Sequence, residues 1–237
     1  MQTKVKKIII TVIVICAIGI PLGMRIYNKS AVEFKDENMK KVMVYASTNE
    51  RSGNEASHEK LSEIKHLRLG YVGYYNTLED IRWAKNTEQI EINMPESRGE
   101  AYEISQGKVP KEVSEEKVKQ YEKELGEVLP KFKKLKKLSI ISDFGCEWDS
   151  IDFLKDCDQI EDLSLARFKI KDFSVLKQCK SLKRVSLYKA PIEKAEDLDL
   201  TGLEKLKCIS ILDTPLAENL EEVKKLKEAY PDVDIEY

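Results

Sequence analysis

Four short segments carry one pattern of apolar and polar positions: Leu138-Ser139-Ile140, Leu163-Ser164-Leu165, Val185-Ser186-Leu187 and Ile209-Ser210-Ile211. Their first residues lie 25, 22 and 24 positions apart. Alternation of this kind predicts short strands with one buried face. A period of roughly 20 to 29 residues predicts a solenoid in which strand-bearing units stack. Copies without the central serine extend the series: Val42-Met43-Val44, Leu67-Arg68-Leu69, Ile90-Glu91-Ile92 and Val233-Asp234-Ile235. The copy at 42 is expected to be a capping strand.

The segments between strands carry helical spacing. Phe173, Leu176 and Cys179 precede Leu182 and Val185, and Leu220, Val223 and Leu226 form a last helix before Pro231. Each unit therefore reads as strand, turn, helix and return, and no unit buries its apolar face alone. One interval is irregular: Ile90 to Leu138 spans 48 residues. Its polar first part, 95–112, reads as an insertion. Val118, Tyr121, Leu125 and Val128 then predict a long helix over 114–129 on the convex side. Ser114 is its expected N-cap, Glu115 and Glu116 suit its first turn, and Pro130 ends it.

The N-terminus carries a second pattern. Lys4, Lys6 and Lys7 precede an uncharged, mostly apolar run of 17 residues, Ile8 to Met24, and Arg25 closes it. Two readings stand side by side. A spanning anchor needs about 17 to 25 apolar residues, and a cleaved signal has a shorter run with a small-residue exit. The anchor is favoured, with the N-terminus cytoplasmic and the remainder extracytoplasmic. Ile15 before Cys16 speaks against lipidation at that cysteine. The expected order is a cytoplasmic end at 1–7, an anchor or signal at 8–24, a stalk at 25–40 and the repeat domain at 41–237.

Composition narrows the function classes. Forty basic and 42 acidic residues nearly cancel, which argues against nucleic acid as the main partner. The chain has only His58 and His66, and no metalloprotease, nucleophile-elbow or phosphate-loop pattern, so neither an enzyme nor a cofactor is expected. No C-x-x-C occurs, and no metal site is expected. Cys157 and Cys179 both stand six residues before a strand, so they are stacked neighbours. A disulfide between them and a pair of small buried thiols are both open. Cys146 and Cys208 show no partner.

The unit Ile160-Glu-Asp-Leu163-Ser-Leu165-Ala-Arg-Phe168-Lys-Ile170-Lys-Asp172, followed by Leu176 and Cys179, resembles the leucine-rich repeats of bacterial internalin-like surface proteins. The resemblance covers about residues 60 to 237. It implies an α/β solenoid, a horseshoe with parallel strands on the concave face and helices on the convex one. It also implies recognition of a protein or peptide rather than catalysis. One departure is clear: where the family places a turn asparagine, this chain has Asp143, Phe168, Ala190 and Thr214. Less regular repeats are expected.

If the apolar pairs point inward, the residues between them face outward. That row is Arg68, Glu91, Ser139, Ser164, Ser186, Ser210 and Asp234, flanked by Ile141, Ala166, Tyr188 and Leu212 on one side and Lys137, Asp162, Arg184 and Cys208 on the other. The expected ligand-binding set is Ser139, Ile141, Ser164, Arg184, Ser186, Tyr188, Ser210 and Leu212, with Tyr188 and Arg184 the best single contacts. A loop at Gly70–Asn76 offers Tyr71, Tyr74 and Tyr75 as rim contacts or as cover for the core. The resulting expectation is a monomeric, membrane-anchored binding module. A structural envelope scaffold is the alternative, as is a secreted effector if the N-terminal segment is cleaved.

Overall fold

The computed structural model describes residues 24, 26–48, 56–93, 112–142 and 146–237. The expected anchor or signal at 8–24, apart from Met24, and nearly all of the 95–112 insertion lie outside them. Among the described residues no helix is long and apolar enough to cross a membrane.

Seven short strands form one sheet, parallel throughout and ordered as in the chain. They are β1 (His66–Arg68), β2 (Gln89–Ile92), β3 (Lys137–Ile141), β4 (Asp162–Ala166), β5 (Arg184–Ser186), β6 (Cys208–Ser210) and β7 (Asp234–Glu236). Register runs straight across the sheet: Leu67 pairs with Ile90, then Leu138, Leu163, Val185, Ile209 and Ile235. All seven are buried, as are Ile92, Ile140, Leu165, Leu187 and Ile211. The inward columns are therefore those expected. The exception is the last strand, where Ile209 faces Ile235 rather than Val233. The outward row ends in Glu236, and Asp234 moves to the row of Cys208 and Arg184. The final unit is two residues longer than its triplet implied, because Ile235 is the side chain that reaches the core.

The expected capping strand at 42–44 is a helix. Helix α1 (Glu37–Thr48) buries Met39, Val42, Met43 and Val44 against the first repeat. Met39, Val42 and Met43 are three and four apart, which is one face of a helix. Asp36 starts it, its Oδ1 accepting the Met39 N–H at 2.7 Å. Nor is 25–40 a free stalk. The Val32 N–H donates to the Ala56 carbonyl at 3.1 Å. The N–H groups of Lys35 and Asp36 donate to Asp80 Oδ2 at 2.8 and 2.9 Å. Asp36 Oδ2 accepts the Asn76 N–H at 2.7 Å. These residues dock on the first repeat and, with α1 and α2 (His58–Ser62), close the N-terminal end of the core.

The return segments are mostly 3-10 turns, not α-helices. Phe173, Leu176 and Cys179 flank or occupy the turn Ser174–Gln178, and similar turns occur at Glu79–Trp83, Asp152–Leu154 and Ala195–Asp197. A 3-10 turn rises about 2.0 Å per residue against about 1.5 Å for an α-helix, so it crosses a short return with fewer residues. True helices appear where the unit is long or terminal: α3 (Glu115–Val128), α4 (Pro215–Glu218) and α5 (Leu220–Ala229). Ser114 caps α3 as expected, accepting from Lys117 N–H at 3.3 Å.

Helix α3 ties together the two halves of the sheet across the long interval. Glu124, buried on its inner face, accepts from the Thr77 hydroxyl at 2.9 Å and the Leu78 N–H at 2.6 Å. Glu122 accepts the N–H groups of Asp149 and Ser150 at 3.0 and 2.8 Å. One helix thus satisfies backbone donors on both sides of the insertion.

Corners after the strands turn through left-handed backbone. Asn93, Arg167, Lys189 and Asp213 all have φ between 55° and 62°, and Gly70 has φ 57°. Each corner is held differently, as the missing asparagine column implied. Phe168 and Ala190 fill theirs with apolar surface. Thr214 closes its own, the hydroxyl donating to the Ile211 carbonyl at 2.7 Å. Asn93 was not anticipated: its Oδ1 accepts the Val72 N–H at 2.9 Å and its Nδ2 donates to the Ile141 carbonyl at 2.8 Å. Replacing it with alanine orphans a buried N–H and a half-buried carbonyl and places a Cβ residue without local hydrogen bonds at positive φ. Asn93→Ala should destabilise the domain by about 2–4 kcal/mol, seen as a lower urea midpoint. An unchanged midpoint would show that this corner is held elsewhere.

A charge ladder runs along the strand entrances. Lys65 pairs with Glu88 at 3.1 Å, and Glu161 is gripped by Lys136 at 2.8 Å and Lys183 at 2.6 Å. Hydrogen bonds from those two lysines pull the Glu161 carboxyl down to about 2. A depressed carboxylate adds stability that is present above its ordinary value and lost as pH falls toward the folded one. The Glu161 share should therefore fade between about pH 4.5 and pH 2. Because these groups are partly solvated, Glu161→Gln should cost under about 1 kcal/mol at pH 7. Urea titrations of both proteins at pH 3 and 7 should show a clearly smaller gap at pH 3; a constant gap would contradict the ladder.

Candidate binding surface

The straight register aligns every outward residue with its counterpart on the next strand. The central row is Arg68, Glu91, Ser139, Ser164, Ser186, Ser210 and Glu236. One flanking row is His66, Gln89, Lys137, Asp162, Arg184, Cys208 and Asp234. Ile141 pairs with Ala166 in the other row, and Tyr188 and Leu212 follow their strands at the same place.

Charged residues at both ends of this face are paired with one another. At the first strands, Glu91 lies 2.9 Å from His66 Nε2 and 3.1 Å from Arg68 Nε, and accepts from Gln89 Nε2 at 2.6 Å. At the last strands, Arg184 Nη1 donates to both oxygens of Glu236, at 3.0 and 3.1 Å. That bridge crosses β6. Arg184 holds the Glu236 carboxyl below the usual carboxylate range, and Glu236 raises Arg184 in return. Arg184 is therefore an intramolecular clamp rather than an unengaged contact. Ser210, beside it, is 4% exposed and so is withdrawn from the surface.

In the central row the residues between these clamps carry no charge, while Lys137 and Asp162 stand beside them in the flanking row. Ser139, Ser164 and Ser186 are half-buried, with small hydroxyls that leave a shallow trough. Along its edge run Ile141, Ala166 and Tyr188, all half-buried, and Leu212, which is 43% exposed. Six of the eight expected ligand-binding residues thus meet on one open strip, while Arg184 and Ser210 are turned to internal use.

The tyrosine loop divides in the same way. Tyr75 is buried, and its hydroxyl donates to the Leu69 carbonyl. Tyr71 and Tyr74 are half-buried and meet edge to face with ring centroids 5.2 Å apart. Burial pushes the Tyr71 phenol up to about 12. A side chain at Gly73 would collide with the Tyr71 ring, so this glycine is fixed by close packing. Cover for the core is the dominant role here, and only Tyr71 and Tyr74 retain exposed ring surface.

Among the described residues the closest approach to a metal set is Cys208, Asp234 and Glu236, with donor atoms within 4.8 Å of one another. Arg184 engages both Glu236 oxygens and brings a positive charge to the same spot, which opposes a cation. On the convex side an open cleft of about 550 Å³ lies between the turn at 195–197 and α5, but its Tyr230 hydroxyl is spent on the backbone of Leu198 and Leu200.

No protein-family model and no characterised protein matches the chain by sequence. Solved structures do match. Internalin InlF from Listeria monocytogenes aligns with 76% of this chain at 12% identity and a TM-score of 0.37. Internalin C2 of the same organism aligns with 81% of this chain and 90% of its own, at 13% identity and a TM-score of 0.35. The chain resembles the internalin leucine-rich repeats. It spans 57% of the length of internalin InlF. The functional domain of InlJ, also from Listeria monocytogenes and described as including a cysteine ladder, aligns with 82% of this chain at 12% identity and a TM-score of 0.23. The repeat assignment here rests on the strand register and the buried columns.

The described cysteines of this repeat domain are interior residues. Cys146, Cys157, Cys179 and Cys208 are buried free thiols, so no Cys157–Cys179 disulfide is formed. The thiols of Cys157 and Cys179 lie 3.5 Å from the Phe153 and Leu154 carbonyls. Burial pushes Cys146 up to about 11 and Cys157 and Cys179 up to about 12. Since the thiolate is the reactive form, these three should resist an aromatic disulfide reagent at pH 8 until the domain unfolds. Mass spectrometry of the labelled protein should find them unmodified; rapid native labelling would contradict the packing.

Proposed function

We propose that this chain is a membrane-anchored, extracytoplasmic recognition module that grips an extended protein or peptide segment on its concave face, without catalysing a reaction. The observation that carries this reading is the uncharged strip Ser139–Ser164–Ser186 with the edge Ile141–Ala166–Tyr188–Leu212, bounded at both ends by charges already paired. End charges that are satisfied internally contribute little electrostatic affinity to a partner. Contact there favours shape and apolar area. Tyr188 is the natural anchor, because a tyrosine supplies large rigid contact area with a polar tip. The membrane component rests on the Ile8–Met24 run and the lysines before it. The open uncharged strip with its exposed Leu212 supports binding over a purely structural scaffold.

The proposal is tested by affinity for a partner recovered from envelope extracts. Tyr188→Ala and Leu212→Asp should each weaken binding at least about tenfold, a typical hot-spot effect, with circular dichroism unchanged. Arg184→Ala should act mainly on stability by freeing Glu236. Full affinity in both strip variants would overturn the proposed face.

A further inference from the structure

The strongest uncommitted surface lies at the opposite end of the solenoid from β7. Among the described residues only six large hydrophobic side chains are exposed, and three of them, Met24, Ile26 and Tyr27, stand within four residues of one another. Residues 26–29 are helical, and Tyr27 stacks on His58 with ring centroids 4.1 Å apart. His58 in turn meets Trp83 edge-on at 5.1 Å. Arg82 lies 4.8 Å above the Trp83 ring, and Lys85 stands 5.9 Å from the Tyr27 ring. Arg82 is engaged by Glu79 at 3.1 Å, whereas Lys29 and Lys85 have no carboxylate partner among the described residues. Glu59 and Lys60, both exposed, follow His58 in α2, and Lys60 pairs with Glu63 at 3.4 Å.

An aromatic ladder with exposed aliphatics and lysines is the composition found at membrane–water boundaries, where Trp and Tyr sit at headgroup level and Lys meets anionic lipid. Position along the chain supplies the second argument. Tyr27 comes three residues after Met24, the last residue of the apolar run. Three residues reach at most about 10 Å, and the headgroup layer is about 6 Å thick on each side. The residues that follow are docked on the repeat domain from Val32 onward, so no free stalk separates that domain from the run.

We propose that the face formed by Met24, Ile26, Tyr27, Lys29, Trp83 and Lys85 lies on the surface of an anionic phospholipid bilayer. It would hold the N-terminal end of the solenoid against the membrane and leave the C-terminal half of the concave strip facing away from it. This rests on the anchor reading of Ile8–Met24, and the test separates the two.

The full chain is mixed with vesicles of phosphatidylcholine containing phosphatidylglycerol, with and without acyl chains brominated near the headgroup. Flotation, carbonate extraction and tryptophan emission are read together. Trp148→Phe leaves Trp83 as the reporter, and Trp83→Phe leaves the buried Trp148 as an unquenched control. Trp83 emission should fall about twofold in brominated vesicles, as for an indole at the interface. The double variant Lys29→Glu with Lys85→Glu should lose most of that quenching without losing carbonate-resistant flotation. Carbonate-resistant protein with unquenched Trp83 would overturn the lipid face while sparing the anchor. Carbonate-extracted but quenched protein would overturn the anchor and sustain the face. A chain that fails to float overturns both, and quenching left intact by the charge reversal overturns the role of the lysines. Should Trp148→Phe fail to fold, the quenchable emission lost between wild type and Trp83→Phe reports the same quantity.

Discussion

Everything in this domain depends on a stacking constraint: each strand has only two inward side chains, and a neighbouring strand must cover them. Leu67, Ile90, Leu138, Leu163, Val185, Ile209 and Ile235 form one continuous column through the sheet. No unit is stable alone, so stability resides in the interfaces between units. The same alternation that buries this column pushes the serines and their flanking residues outward. Core packing and the candidate binding strip are thus two faces of one register. A one-residue slip in any strand would expose the core and bury the strip at once.

Short returns create a second requirement. A 3-10 turn of three to five residues leaves backbone N–H groups at its start without partners, and the solenoid has no room for long capping segments. Carboxylates reach in from adjacent elements to meet them. Glu124 and Glu122 do so from α3 for the turns of two different units, and Glu222 does so from α5 for the Ala195 N–H at 2.9 Å. Asp36 and Asp80 perform the same service where the N-terminal segment joins the first repeat. The acidic residues of a nearly neutral chain are thus in part structural. Their counterparts on the concave face, Glu91 and Glu236, are clamped by cations in the same spirit.

The periodic part of this architecture was legible in the sequence because strand alternation survives in triplets as short as Leu163-Ser164-Leu165. The outward rows followed from it for β1 to β6. What was not legible depended on distance. Val42-Met43-Val44 satisfies a strand pattern and a helix pattern equally, and only the Asp36 cap and the contacts beneath decide for the helix. Val233 and Ile235 offer two registers for the last strand, and burial chooses the second. Arg184 reads as an exposed hot spot until Glu236 is placed beside it, 52 residues further along the chain. Asn93 adjoins the insertion, and its partners lie 21 and 48 residues away. Local spacing could signal none of those pairings.

Recognition on the concave strip is the central functional claim, and it concerns which side of the solenoid meets a partner. Site-specific photocrosslinking in intact cells addresses that most directly, with the photoreactive residue placed at Ser164 on the strip or at Lys205 on the loop preceding β6. A discrete adduct from Ser164 and none from Lys205 is the expected result. Equal adducts from both positions, or an adduct from Lys205 alone, would contradict it.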